Sequence, residues 1–157
     1  MKKLYVVGNK ASKSLSPTIF NYWFKKYNIK ASYGYLELSE RNFHKKIKGV
    51  LEKKDTLGLN VTIPFKNKII KHLGKIDAHA KKIGAVNCVT NKKTINGTNT
   101  DWTGYYKTLP NIKQTKNRKV IILGYGGASH AIHYVLKKRG FKAVSYTHLT
   151  LPTMDSV

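Results

Sequence analysis

Apolar and polar positions along the chain fall into blocks whose period switches repeatedly between that of a strand and that of a helix. Leu4-Tyr5-Val6-Val7 is a short apolar run closed by Gly8 and predicts a buried strand. After a polar loop, Ser14-Leu15-Ser16-Pro17 predicts a helix start. Ser16 is the expected N-cap and Pro17 the first helical residue, where its missing N–H has no intrahelical partner to lose. Ile19, Phe20, Trp23, Phe24 and Tyr27 then recur as one apolar helical face, and Asn28 is the expected stop. Tyr33 to Leu38 predicts a strand, and Ser39 opens a second helix whose Phe43, Ile47, Val50 and Leu51 share a face. Leu57 to Ile63 predicts a buried strand ended by Pro64, with a short helical stretch through Leu73. Ala78 to Ile83 predicts a further helical turn or two. Ala85 to Thr90 with Thr94-Ile95 predicts a hairpin around Asn91-Lys92-Lys93, and the stretch from Asp101 to Leu109 a helix.

Pro110 to Arg118 is polar and basic, which marks a linker, and beyond it the pattern restarts. Val120-Ile121-Ile122-Leu123 is a continuous apolar strand, Gly124 to Ser129 a glycine-rich turn, and His130 to Lys138 a helix closed by Gly140. This alternation predicts an α/β fold with a mostly parallel sheet. The expected organisation is one domain over residues 1–110, a linker over 111–118 and a second unit from 119. About 40 residues lie beyond the linker, too few for the βαβ repeats of a doubly wound domain, so the second unit is expected to be incomplete.

The 157 residues include 30 Lys or Arg against 7 Asp or Glu, a formal charge of +23. Such a charge ordinarily points to nucleic acid through phosphate neutralisation. Its make-up argues otherwise, because 27 of the basic residues are Lys and 3 are Arg, whereas bidentate phosphate and base contacts favour Arg. The lysines are scattered in ones and twos, many at polar positions of amphipathic helices, so no nucleic-acid partner is expected. A lone Cys88 excludes a disulfide framework and a zinc site built from several thiolates, no metal is expected, and a reducing interior fits. No apolar run approaches the roughly 20 residues of a membrane span, so a soluble, cytoplasmic protein without a membrane partner is expected.

Gly124-Tyr125-Gly126-Gly127-Ala128-Ser129 sits between strand and helix, where a dinucleotide fingerprint belongs. Gly124 permits the tight turn, Gly126 lets the backbone approach a pyrophosphate, and small Ser129 permits close packing. The following helix N-terminus offers N–H groups and positive dipole to phosphate. The acidic residue usual some 20 positions further on is absent. Upstream, Ser14, Ser16, Asn60, Thr62, Lys66, Asn87, Asn99 and Asp101 lie at strand ends or loop edges, where α/β sheets bind ligands. Asn60 and Thr62 are two apart on a strand, so both face one way. Each alone has a plain structural explanation: Ser16 and Asp101 as helix caps, Asn87 and Asn99 as turn residues, Lys66 as one surface lysine among many. Asp101 stands out as one of only 7 acids in the chain.

Five segments in order, Ser14-Leu15-Ser16-Pro17, Asn60-Val61-Thr62-Ile63-Pro64-Phe65-Lys66, Ile83-Gly84-Ala85-Val86-Asn87, Gly97-Thr98-Asn99-Thr100-Asp101 and the glycine turn, closely resemble the shikimate dehydrogenase family. The resemblance runs from about residue 4 to about residue 143 and implies an N-terminal α/β substrate domain followed by a Rossmann domain. It implies an NADP-dependent oxidoreductase of aromatic amino-acid and chorismate biosynthesis that reversibly reduces 3-dehydroshikimate to shikimate. Carried over motif by motif, Ser14 and Ser16 would bind the substrate carboxylate, and Asn60, Thr62, Lys66, Asn87 and Asp101 the ring hydroxyls. Lys66 and Asp101 would be the catalytic pair, and Gly124, Gly126, Gly127, Ala128 and Ser129 would hold NADP. Hydride delivery to a ketone builds negative charge on oxygen, and a lysine held by a carboxylate is a suitable proton donor.

The chain departs from the family pattern at Lys13, often His, at Cys88, commonly Thr, and at Tyr125, usually Ala. From Val144 to Val157 it has neither the family's Arg for the 2′-phosphate nor an acidic residue at the ribose position, so these residues are expected to be a non-native tail and the Rossmann unit to end at 143. The chain by itself is then expected to be inactive, as a monomer or homodimer. The alternatives are a quinate/shikimate dehydrogenase or a non-catalytic shikimate-binding domain.

Overall fold

The protein is described from a computed structural model, which describes residues 1–110 and 118–146. β1 (Lys2–Gly8) is the spine of the larger sheet. It pairs in parallel with β2 (Ala31–Glu37) on one side and with β3 (Thr56–Val61) on the other. Its side chains alternate between faces, so neighbouring valines enter different clusters. Val7 joins Phe43, Ile47 and Leu51 of α2 (Phe43–Leu51), together with Leu59, Phe65 and Ile69. Val6 packs with Ala11, Tyr33, Phe20 and Phe24 on the side of α1 (Ser16–Lys26).

Four further elements complete this unit: β4 (Lys75–Ile76), α3 (Ala78–Ile83), β5 (Cys88–Asn91) and β6 (Ile95–Thr98). The sheet order is β2-β1-β3-β5-β6-β4; the β3·β5 and β5·β6 pairings are antiparallel and the others parallel. The expected α/β class and mostly parallel sheet are therefore present, with the predicted hairpin as the antiparallel insert. β4 was not foreseen, because two residues carry no periodicity. α4 (Asp101–Thr108) then leads out of the sheet. Beyond it, β7 (Lys119–Leu123), α5 (Gly127–Lys138) and β8 (Lys142–Tyr146) form a βαβ unit in which Lys119 pairs with Lys142 and Leu123 with Tyr146. β8 thus runs three residues past position 143. The linker reading at 111–117 and the tail reading at 147–157 lie outside the described residues.

Helix ends differ in detail from the sequence reading. Ser16 is not the N-cap of α1: Leu15 already has near-helical angles, and its carbonyl accepts the Ile19 N–H at 3.1 Å. The helix therefore starts one residue earlier, and the hydroxyl of Ser14 accepts the Ser16 N–H at 3.2 Å. Likewise Asp101 is the first residue of α4 and not its cap. α2 begins at Phe43, because Ser39 to Asn42 form a turn in which Asn42 Oδ1 accepts the Ser39 N–H at 3.0 Å. Asn28 does end α1. It sits at φ 51, and the Asn28 and Ile29 N–H groups close back on the carbonyls of Lys25 and Phe24. Of the expected α1 face, only Phe20 and Phe24 reach the sheet; Ile19, Trp23 and Tyr27 stay partly exposed.

Candidate active site

All seven residues singled out for substrate binding line one cleft of about 480 Å³: Ser14, Ser16, Asn60, Thr62, Lys66, Asn87 and Asp101. Backbone pairing brings them there. The carbonyl of Lys66 accepts the Val86 N–H at 2.8 Å, the carbonyl of Asn87 accepts the Val61 N–H at 2.8 Å, and the Asn87 N–H donates to the carbonyl of Thr98 at 3.1 Å. The loop after β3, the approach to β5 and the end of β6 are thereby laid side by side. Lys66 Nζ lies 2.7 Å from Asp101 Oδ2, and Asn87 Nδ2 donates to Asp101 Oδ1 at 2.7 Å. Both oxygens of Asp101 are thus engaged. The lysine side chain is only 12% exposed and the aspartate 32%, so this pair is shielded more than an ordinary surface ion pair. Thr100 closes the cluster by donating its N–H to Asn87 Oδ1 at 2.8 Å.

The serine loop is held from behind. Ser12 donates both its N–H and its hydroxyl to the carboxylate of Glu37, and the hydroxyl bond is the main reason that this carboxyl titrates below its usual range. Thr62 reaches the cleft because Gly8 makes room for it: a Cβ on Gly8 would lie 2.4 Å from Thr62 Cγ2. Three features escaped the sequence reading. Lys10 lines the cleft, Lys13 lines it in addition to replacing the usual His, and Tyr33 touches Asn60 from β2. Tyr33 is the one buried residue of β2, and a buried tyrosine requires a partner for its hydroxyl. Asn99, also among the polar candidates, is drawn away from the ligand side into the scaffold and is 3% exposed.

The second unit meets this cleft at Lys66. Gly124 takes φ 113, as the tight turn requires, and α5 begins at Gly127, three residues before the predicted start. Ser129 is buried and its hydroxyl donates to the carbonyl of Gly126 at 2.7 Å, so it braces the turn instead of facing outward. A pocket of about 290 Å³ lies between the turn and the loop after β3, lined by Ile63, Pro64, Lys66, Asn67, Tyr125, Gly126 and Gly127, among others. The approach is close: a Cβ on Gly127 would stand 2.8 Å from Lys66 Cβ. Bare backbone at 126 and 127, next to a helix N-terminus, suits a pyrophosphate.

Residues 6–89 match the family model of the shikimate dehydrogenase substrate binding domain. The chain belongs to the shikimate dehydrogenase family. The shikimate dehydrogenase (NADP(+)) of Oceanobacillus iheyensis is 35% identical over 161 residues, covering 98% of this chain and 58% of the relative. The crystal structure of shikimate dehydrogenase from Aquifex aeolicus superposes with a TM-score of 0.82 at 35% identity, covering 94% of this chain and 56% of that one. The Thermus thermophilus enzyme, solved in complex with NADP(H) and shikimate, superposes at 0.78 with 26% identity, covering 95% and 57%. The chain thus spans between 56% and 58% of the length of these relatives. Of its departures from the shikimate dehydrogenase pattern, Tyr125 is 59% exposed, its ring leans on His130 at a centroid distance of 4.5 Å, and it lines the pocket beside Gly126 and Gly127.

Proposed function

We propose that this chain carries the substrate-binding part and the opening of the cofactor-binding part of a shikimate dehydrogenase, which reversibly reduces 3-dehydroshikimate to shikimate. The observation that carries the reading is the position of Lys66. Its ammonium pairs with Asp101 in the polar cleft while its aliphatic stem lies against Gly127 at the glycine turn, so one lysine side chain runs between the substrate place and the cofactor place. Gly124, Gly126, Gly127 and Ala128 would hold NADPH, with Ser129 bracing their turn from inside, and the bound cofactor would supply a hydride to the carbonyl carbon. Lys66 donates the proton that the carbonyl oxygen needs as charge builds on it, and Asp101 keeps the ammonium aimed. Ser14 and Ser16 bind the carboxylate, assisted by the positive charge of Lys10 and Lys13, while Asn60, Thr62 and Asn87 hold the ring hydroxyls. The substrate unit spans residues 1–110, the Rossmann unit opens at 119, and a lone free Cys88 suits a cytoplasmic setting.

Calorimetric titration of the whole chain with shikimate is the direct test. Binding is expected, and Lys66→Ala is expected to weaken it about ten- to a hundredfold, the loss of one charge-assisted hydrogen bond. Absence of binding, or affinity indifferent to Lys66→Ala and Asp101→Asn alike, overturns the proposal.

A further inference from the structure

We infer that Tyr33 is a positioning residue: it fixes which end of the Asn60 amide faces the cleft and makes position 60 a hydrogen-bond donor toward the ligand. The inference rests on the reading above, that this cleft takes a hydroxylated ring acid, and adds which partner one of its contacts demands.

Tyr33 lies on β2, across β1 from Asn60: Leu4 pairs with Tyr33 in one direction, and Val6 with Asn60 in the other. It is 3% exposed, and its hydroxyl donates to Asn60 Oδ1 at 2.6 Å. The ring has little freedom. Phe20 stacks on it at 4.7 Å with 8° between the planes. Asn21 of α1 clamps its backbone, donating to the Tyr33 carbonyl at 2.8 Å and accepting its N–H at 2.9 Å. Burial pushes the phenol up to about 12, so the group holds its proton throughout the physiological range.

A phenol has one proton to give, and here it goes to the amide oxygen of Asn60. The oxygen end is therefore tied to the interior, and the NH2 end is left for the cleft that Asn60 lines. Flipping the amide would let its NH2 donate to the phenol oxygen but would leave the buried O–H proton without the acceptor it has here, the expensive outcome for a polar group out of water. With Lys66, Lys10 and Lys13 on the same cleft, donors predominate, and position 60 selects a ligand oxygen that accepts.

The experiment compares the ¹⁵N-labelled wild-type chain with Tyr33→Phe, Asn60→Ala, Asn60→Asp and the Tyr33→Phe/Asn60→Ala double variant. Tyr33→Phe keeps the stacked ring and the fold, checked by thermal melting. It is expected to weaken shikimate binding about tenfold. The double variant should bind as Asn60→Ala does, since Tyr33 acts only through Asn60. Asn60→Asp, which keeps an acceptor for Tyr33 but turns an oxygen toward the ligand, should bind worse than Asn60→Ala. The Asn60 side-chain NH2 resonances should move in Tyr33→Phe without any ligand. Unaltered binding in Tyr33→Phe, additive losses in the double variant, or unmoved NH2 resonances would each overturn the inference. If the wild type does not bind shikimate, the functional reading falls and the NH2 resonances alone decide the role of Tyr33.

Discussion

Asn99 commits both ends of its amide inside the protein. Nδ2 donates to the carbonyl of Ala85 at 2.9 Å, and Oδ1 accepts the N–H groups of Asp101 and Trp102 at 3.0 and 3.3 Å. These bonds dock the first turn of α4, and with it Asp101, on the segment before β5. Asn99→Ala strands the carbonyl of fully buried Ala85, so a loss of about 1–3 kcal/mol in stability is expected from urea unfolding, together with weaker shikimate binding. A result within about 0.3 kcal/mol of wild type would count against this role. At this scale the sequence showed residue types but not partners. Asn99 reads as a turn residue because its acceptor, Ala85, lies on a distant segment, whereas Asp101 stood out because acids are so scarce.

The element that presents Lys66 is anchored on both sides. Phe65, its neighbour, is fully buried and stacks on Phe43 of α2 at 4.2 Å, which fixes the loop after β3 against the core. On the strand itself, Gly58 faces the backbone of β5 so closely that an added Cβ would lie 2.4 Å from the carbonyl oxygen of Val89. A backbone atom in a ladder cannot swing aside as a side-chain tip can. Gly58→Ala is therefore expected to destabilise by about 1–3 kcal/mol in urea unfolding, as overpacking does. A wild-type midpoint would show that β3 and β5 are less tightly registered than their pairing indicates. Strand and helix identities were legible because each carries its own period. Helix starts were legible only to within a few residues: Leu15 turns helical before Ser16 can cap, and the turn from Ser39 to Asn42 delays α2. The direction of the β5–β6 hairpin relative to β3, and edge strand β4, depend on distant pairing that no local pattern encodes.

Over the whole molecule, a charge of +23 surrounds a cleft whose proposed ligand is a carboxylate, with Lys10 and Lys13 at its lining. Shikimate affinity is expected to fall as potassium chloride is raised, and more shallowly in a Lys10→Ala/Lys13→Ala variant; equal slopes in calorimetry would show that these two lysines do not contribute. Stability should also depend on pH through His72. Burial, then the nearby His44 and Lys48, hold its pKa below the ordinary 6.5. Its ring nitrogen Nε2 also lies 2.8 Å from Nδ1 of His44. The unfolded chain therefore binds the His72 proton before the folded one does. The contribution is fully present above 6.5 and is lost as pH falls from there toward the folded value. Urea midpoints should drop between about pH 7.5 and about pH 5.5, and drop less in His72→Gln; parallel drops would remove His72 as a source. The sequence by itself determined the α/β class, the order of the strands and helices apart from β4 and β8, and the five motifs that mark the family, because periodicity and short motifs are written in neighbouring residues. Only the tertiary structure decided that Ser14, Asn60, Lys66, Asn87 and Asp101 share one cleft, that Lys66 also borders the glycine turn, and that Tyr33 stands behind Asn60. Those relations arise from strand pairing across the sheet and from the packing of two units, where residues far apart in the chain meet at hydrogen-bond distance.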